Sequence, residues 1–190
     1  MSMIGNFRTT SDADIAALLE QPKRIELLLY GEYLTKPRTK RGFFSLFSKH
    51  RHPAPDTWTP HDPGEELDVD KAWHGIHYLL TGSPWEGTGP EAFILAGGQT
   101  IGNIDVGYGP ARAFPSDEVR EIARRLNEID QNRLKAAWDQ KTFLEHKIYP
   151  DMWEKEPESC FGYLLEHFEA LKRFIMQAAD TGKALIVYMN

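Results

Sequence analysis

The feature that most constrains this chain lies at its C-terminal end. From about Ser159 to Thr181, Phe161, Leu164, Leu165, Phe168, Leu171, Ile175 and Ala178 recur at helical spacing. They give one unbroken apolar face over about five turns. Gly182 follows as a natural helix-ending residue. Ala184 to Met189 is then a short apolar run without alternation, the pattern of a strand buried on both faces. A long amphipathic helix delivering such a strand needs a sheet to join. Met3 to Phe7 reads as a short N-terminal strand, and both terminal strands are expected to share one sheet.

Between these ends the chain reads mainly as helix. Ser11 caps a helix with Asp12 and Asp14 in its first turn and Ile15, Leu18 and Leu19 on its apolar face. Pro22 opens a second helix through Ile25, Leu28 and Leu29, which Gly31 ends. Asp68 is placed to cap a helix to about Leu80, with Val69, Trp73, Ile76 and Leu80 on one stripe. Strand-like runs follow at Ala92–Leu95 and Ile101–Val106. Ser116 caps a helix that buries Val119, Ile122, Leu126 and Ile129, with a Glu121–Arg125 pair on its wet side. Another helix covers Arg133 to His146. Strands at both ends with helices between predict an α+β fold: a single domain over 1–190, a small sheet including both terminal strands, and several amphipathic helices.

Residues 35–66 interrupt this plan. Pro37, Pro53, Pro55, Pro60 and Pro63 argue for an insertion loop. Within it, the sixteen residues from Lys36 to Arg51 carry Lys36, Arg38, Lys40, Arg41, Lys49 and Arg51 and no acid, so the other 174 residues of the chain carry −12 against a net charge of −6. An acidic body is the wrong sign for nucleic acid and the right sign for a protein partner with a basic surface. The aromatic patch from Arg41 to Lys49 mixes charges and rings as a membrane-touching segment would. One such turn binds lipid weakly, and the preferred reading is a loop folded back on the body.

Composition narrows the setting. A single cysteine, Cys160, excludes an internal disulfide and a multi-thiolate zinc site. No apolar run reaches the ~20 residues that span a bilayer, and the first residues carry neither a basic nor an apolar signal region. The expected location is cytoplasmic, with no cofactor.

Several residues are candidates for chemistry. Asp70, His74 and His77 form D-x-x-x-H-x-x-H, a polar stripe beside the apolar stripe of their helix. Two imidazoles one turn apart with a carboxylate suit a divalent ion or acid–base work. Against this, no H-E-x-x-H motif or third histidine is in register, and no metal site is assigned. Gly107-Tyr108-Gly109-Pro110-Ala111-Arg112 lacks the Gly-Lys-Ser/Thr of a phosphate loop and the third glycine of a dinucleotide fingerprint. Tyr108 and Arg112 on such a turn are still able to face a cleft. No G-x-S-x-G elbow is present. Cys160, near a helix start, is either a lowered-pKa thiol or a small buried residue. The loop Ile148-Tyr149-Pro150-Asp151-Met152-Trp153 is either a hydrophobic plug or a binding rim of Tyr149 and Trp153. Trp73, His74, His77, Tyr108 and Arg112 are expected around one surface depression, the competing account being an internal network in which Arg112 pairs with an acid.

Met3-Ile4-Gly5, Asp70 to Gly82, Gly107 to Arg112, Ile148 to Asp151 and Tyr163 to Leu171 resemble the YfbM-like family, a bacterial domain family of unknown function. The resemblance covers Met1 to about Leu19 and about Leu67 to Asn190. It implies an α+β fold and no established activity, and it transfers no catalytic residue. Two functions compete: a non-catalytic protein-binding module of immunity or adaptor type, and a small-molecule binder or enzyme with a cleft near His74, His77, Tyr108 and Arg112.

Overall fold

A computed structural model describes residues 2–33 and 57–190. The basic run Lys36–Arg51 and its aromatic patch lie outside the described residues, as does most of the proposed insertion.

The long helix and its strand form as the sequence requires. Helix α7 spans Pro157–Asp180 and strand β5 Ala184–Met189. Gly182, at φ 65°, makes the left-handed turn between them. The uninterrupted apolar run of β5 is explained by burial on both faces. Leu185 and Val187 join the main core, while Ala184, Ile186 and Tyr188 join a second one on the opposite face. Strand β1, Gly5–Thr10, pairs antiparallel with β5 along its whole length, Gly5 against Met189 and Thr10 against Ala184. The two terminal strands are therefore neighbours in the same sheet.

That sheet has five antiparallel strands in the order β2-β1-β5-β4-β3. The three added strands are short: β2 is Glu66–Asp68, β3 Gln99–Thr100 and β4 Arg112–Phe114. Helices α1 (Asp12–Glu20) and α2 (Arg24–Tyr30) supply Ile15, Leu18, Ile25 and Leu28 to the core on one face. On the other face lie α3 (Trp73–Thr81), α4 (Ser116–Asn127), α5 (Gln131–Ala137), α6 (Gln140–Glu145) and α7. This is the α+β domain expected, with a helical layer on each side of the sheet.

Several local expectations are corrected. Asp68 ends β2 rather than capping a helix, and its carboxylate accepts from Asp70 N–H. Asp70 itself has φ 46° and opens a 3₁₀ turn, so the α-helix begins only at Trp73. Glu66 belongs to β2, so the proposed insertion ends inside a strand. Ala92–Leu95 is 3₁₀ and turn, and Ile101–Val106 is turn and irregular backbone following β3 rather than a strand. The Ser116 hydroxyl donates to Asp12 instead of capping α4. Glu121 pairs with Arg124, while Arg125 reaches Glu91. The helix expected over 133–146 breaks at Trp138, whose ψ of 120° is extended, and Asp139 caps the second piece by accepting from Thr142 N–H.

Candidate functional site

Trp73 is placed by a close approach. A β-carbon on Gly5 would lie 2.6 Å from that of Trp73, so only glycine lets α3 sit this near β1. The Trp73 indole N–H then donates to Met3 O at 3.1 Å, and Met3 N–H donates to the Tyr149 hydroxyl at 2.9 Å. Trp73 stacks between the rings of His74 and Tyr149, with centroids 4.9 and 5.7 Å away.

The two histidines are buried, each with no exposed surface. His74 Nε2–H donates to Pro84 O at 2.7 Å, and its Nδ1 accepts from Tyr149 N–H at 2.9 Å. His77 Nε2–H donates to Glu86 O at 3.2 Å. Each Nε2 faces a carbonyl and so carries the proton. Burial lowers the His74 pKa against the opposing pull of the Pro84 carbonyl. Burial also lowers His77, to about 4; the Glu86 carbonyl opposes this, and the charges of His74 and Arg112 reinforce it. Both rings are neutral at pH 7. Among the described residues His77 Nδ1 is the one buried side-chain polar atom without a hydrogen-bond partner.

Two carbonyls taken by these rings flank one residue, Trp85. It is 60% exposed, the most exposed large hydrophobic side chain among the described residues. Its ring centroid lies 4.2 Å from that of His74 and 6.5 Å from that of Trp73. The polar stripe of α3 thus faces a loop, 82–89, that folds over it. Thr81 completes the clamp, its hydroxyl donating to His77 O at 2.8 Å and accepting from Ser83 N–H at 3.2 Å.

The 148–153 turn lies against the same cluster through Tyr149. Trp153 is buried and donates its indole N–H to Ile148 O at 2.6 Å. It is the floor of a concavity of about 390 Å³ that also takes in Phe143, Ile148 and Tyr149, rimmed by Leu144, Lys147 and Asp151. Leu144 is 38% exposed.

The single depression expected around Trp73, His74, His77, Tyr108 and Arg112 is not formed. Trp73, His74, Tyr149 and Trp85 come together, and the histidine rings serve them from inside. Arg112 is spent elsewhere: its guanidinium donates to the carbonyls of Phe93, Ile94, Ala96 and Gly97. Burial brings its pKa down to about 10. It holds the turn that would have been a strand, and among the described residues it pairs with no acid. Tyr108 is exposed on a turn fixed by Asp105, whose carboxylate accepts from Gly107 and Gly109 N–H, and it makes no ring contact with the cluster. Asp70 accepts from the Tyr163 hydroxyl, away from the histidines. Cys160 is buried and burial raises its thiol pKa, as for a packing residue. Among the described residues no group of three or more His, Cys, Asp or Glu side chains is arranged to hold a metal ion.

A family model described as a domain of unknown function (DUF1877) matches residues 1–188. The chain belongs to this family. The crystal structure of YfbM from Escherichia coli, itself a protein of unknown function, matches this DUF1877 domain with a TM-score of 0.66 at 21% identity. The match covers 98% of this chain and 99% of that one. It shows the fold and bears out the YfbM-like resemblance. No curated protein matches the chain. No helix among the described residues of the DUF1877 domain is long and apolar enough to cross a membrane.

Sequence reasoning missed two features. One is Trp85; its only signal is a bulky apolar residue inside the turn-forming run Thr81-Gly-Ser-Pro-Trp-Glu-Gly87. The other is Asp14, read as a first-turn acid. It is fully buried and accepts from the Thr10 and Ser11 hydroxyls, the backbone N–H of His61 and Asp62, and the His61 ring. Burial alone would raise its pKa, and these hydrogen bonds more than offset that and hold it low.

Proposed function

We propose that this protein is a non-catalytic binding module that docks a protein partner with a basic surface through the face built on Trp85 and Tyr149. The observation that carries the reading is the fixing of an exposed tryptophan by two buried histidines, one on the carbonyl before it and one on the carbonyl after it. An unsupported surface tryptophan would collapse onto the body or move. A fixed one loses little freedom on binding and is the residue type that dominates interface energetics. The neighbouring concavity over Trp153 offers a pocket for an apolar side chain of the partner.

The sign of the partner follows from charge. Glu86 beside Trp85, and Asp151, Glu154, Glu156 and Glu158 after the 148–150 turn, are all exposed, against Lys147 and Lys155. An arginine of the partner over the Trp85 face would gain about 0.5–2 kcal/mol of cation–π attraction, with carboxylates nearby. The alternative, a small-molecule cleft near His74, His77, Tyr108 and Arg112, draws no support from rings and a guanidinium already committed to carbonyls. A bacterial cytoplasm as the setting accords with the single, buried, free thiol of Cys160.

The test is site-directed photo-crosslinking in the source cells, with a benzophenone amino acid at exposed Glu86, which leaves Trp85 in place, or at Asp180. Asp180 is at the opposite end of α7, a helix about 36 Å long. The reading expects an adduct with one protein, through a basic surface, from position 86 alone. No adduct at 86, or the same adducts from both positions, contradicts it.

A further inference from the structure

A second concavity, of about 320 Å³, lies where the C-terminal end of α7, the start of β5 and residues 62–65 meet. Its shape depends on Gly64, at φ 66°, where a β-carbon would fall 1.7 Å from Thr9 O. Some of its polar groups are consumed by the fold. The Asp62 carboxylate accepts from Gly64 N–H at 3.1 Å and pairs with the Lys183 ammonium. The Thr181 hydroxyl donates to Gln177 O, and the Thr9 hydroxyl accepts from Glu65 N–H.

Three groups remain unspent. Lys183 has three N–H bonds, of which one serves Asp62. The Gln177 amide and the Glu65 carboxylate are exposed and make no side-chain hydrogen bond or ion pair among the described residues. Half-buried Phe174 and buried Ala178 form an apolar wall beside them.

These leftovers define a ligand. A simple anion would meet Lys183 but be repelled by Asp62, Glu65 and the partial negative charge at the C-terminus of α7. A simple cation would meet Glu65 but leave the remaining N–H bonds of Lys183 and the Gln177 amide unused. A zwitterion satisfies both, with Gln177 free to donate to its carboxylate. The volume lies at the small end of ligand sites, and the wall at Phe174 receives an apolar substituent. The geometry points to a binding site for a free α-amino acid with an apolar side chain: its carboxylate on Lys183 and Gln177, its ammonium on Glu65.

This site is independent of the Trp85 face and stands or falls separately. The test is an NMR titration of the full chain with L-leucine and L-phenylalanine, each at millimolar concentrations. Leucine methyl ester, which lacks the carboxylate charge, and N-acetylleucine, which lacks the ammonium, serve as comparisons. The expected result is saturable shifts confined to residues 62–65 and 174–183, with both derivatives at least ~10-fold weaker, the loss of about 1.4 kcal/mol that one ion contact represents. Lys183→Met should weaken binding by the same factor. Gln177→Ala, at an exposed position whose amide supports nothing in the fold, should weaken it several-fold without changing the melting temperature. Absence of saturable shifts with both amino acids overturns the proposal. So does equal binding of the ester or the acetyl derivative, or full affinity in Gln177→Ala.

Discussion

Replacing His77 by glutamine removes a titrating group and keeps an amide N–H able to reach Glu86 O. In the fold His77 takes up a proton only near pH 4, against about 6.5 in an unfolded chain. The folded value is depressed, so the stabilisation is complete above pH 6.5 and is lost as pH falls toward 4, because the unfolded state binds the proton first. The full shift of about 2.5 units corresponds to roughly 3 kcal/mol, and between pH 7 and pH 4.5 about 2 kcal/mol of it disappears. Urea denaturation of wild type and His77→Gln at both pH values isolates this quantity, since His74 and the carboxylates titrate in both proteins. Wild type should lose about 2 kcal/mol more than the variant over that interval. Equal losses would show that His77 is not held neutral by the loop and would refute the clamp.

Three further outcomes follow from burial and hydrogen bonding. Phe168→Ala, at a side chain with no exposed surface in the middle of α7, should cost roughly 3–5 kcal/mol by chemical denaturation; a loss below about 1 kcal/mol would place that face outside the core. Arg112→Lys keeps a charge but cannot reach four carbonyls with one ammonium, so it should cost at least about 2 kcal/mol and speed amide exchange over 93–97. Asp14→Asn removes an acceptor shared by five donors, and residues 61–62 should exchange faster while α7 is unchanged.

The parts of the fold legible in the sequence are those whose periodicity runs long enough to dominate. Helix α7 repeats its apolar face over 24 residues, and β5 buries both faces, so neither has a competing reading. Ser11, Gly31 and Gly182 mark ends by local chemistry and do so where expected. Strands of two or three residues leave no alternation to read, which is why β2, β3 and β4 were not visible. The break at Trp138 is invisible to a helical period that continues through it; Asp139 was the only local cue. The site failed to show for a different reason. A helical wheel places His74 and His77 beside the core but cannot say that loop 82–89 closes over them, and their partners are backbone carbonyls, which no side-chain pattern encodes. Arg112 is the same case: four carbonyls take the guanidinium that was expected at a depression or, in the competing account, on an acid.

Trp85, the proposed recognition residue, is held in place from beneath by two histidines on its neighbouring carbonyls. The most direct test of its role is the affinity of the protein crosslinked at position 86 for wild type and for Trp85→Ala, measured with melting temperatures of both. A central interface tryptophan is worth about 2 kcal/mol or more on truncation, so affinity should fall at least ~30-fold, with melting unchanged because the side chain is mostly in solvent. An affinity within twofold of wild type would contradict the account.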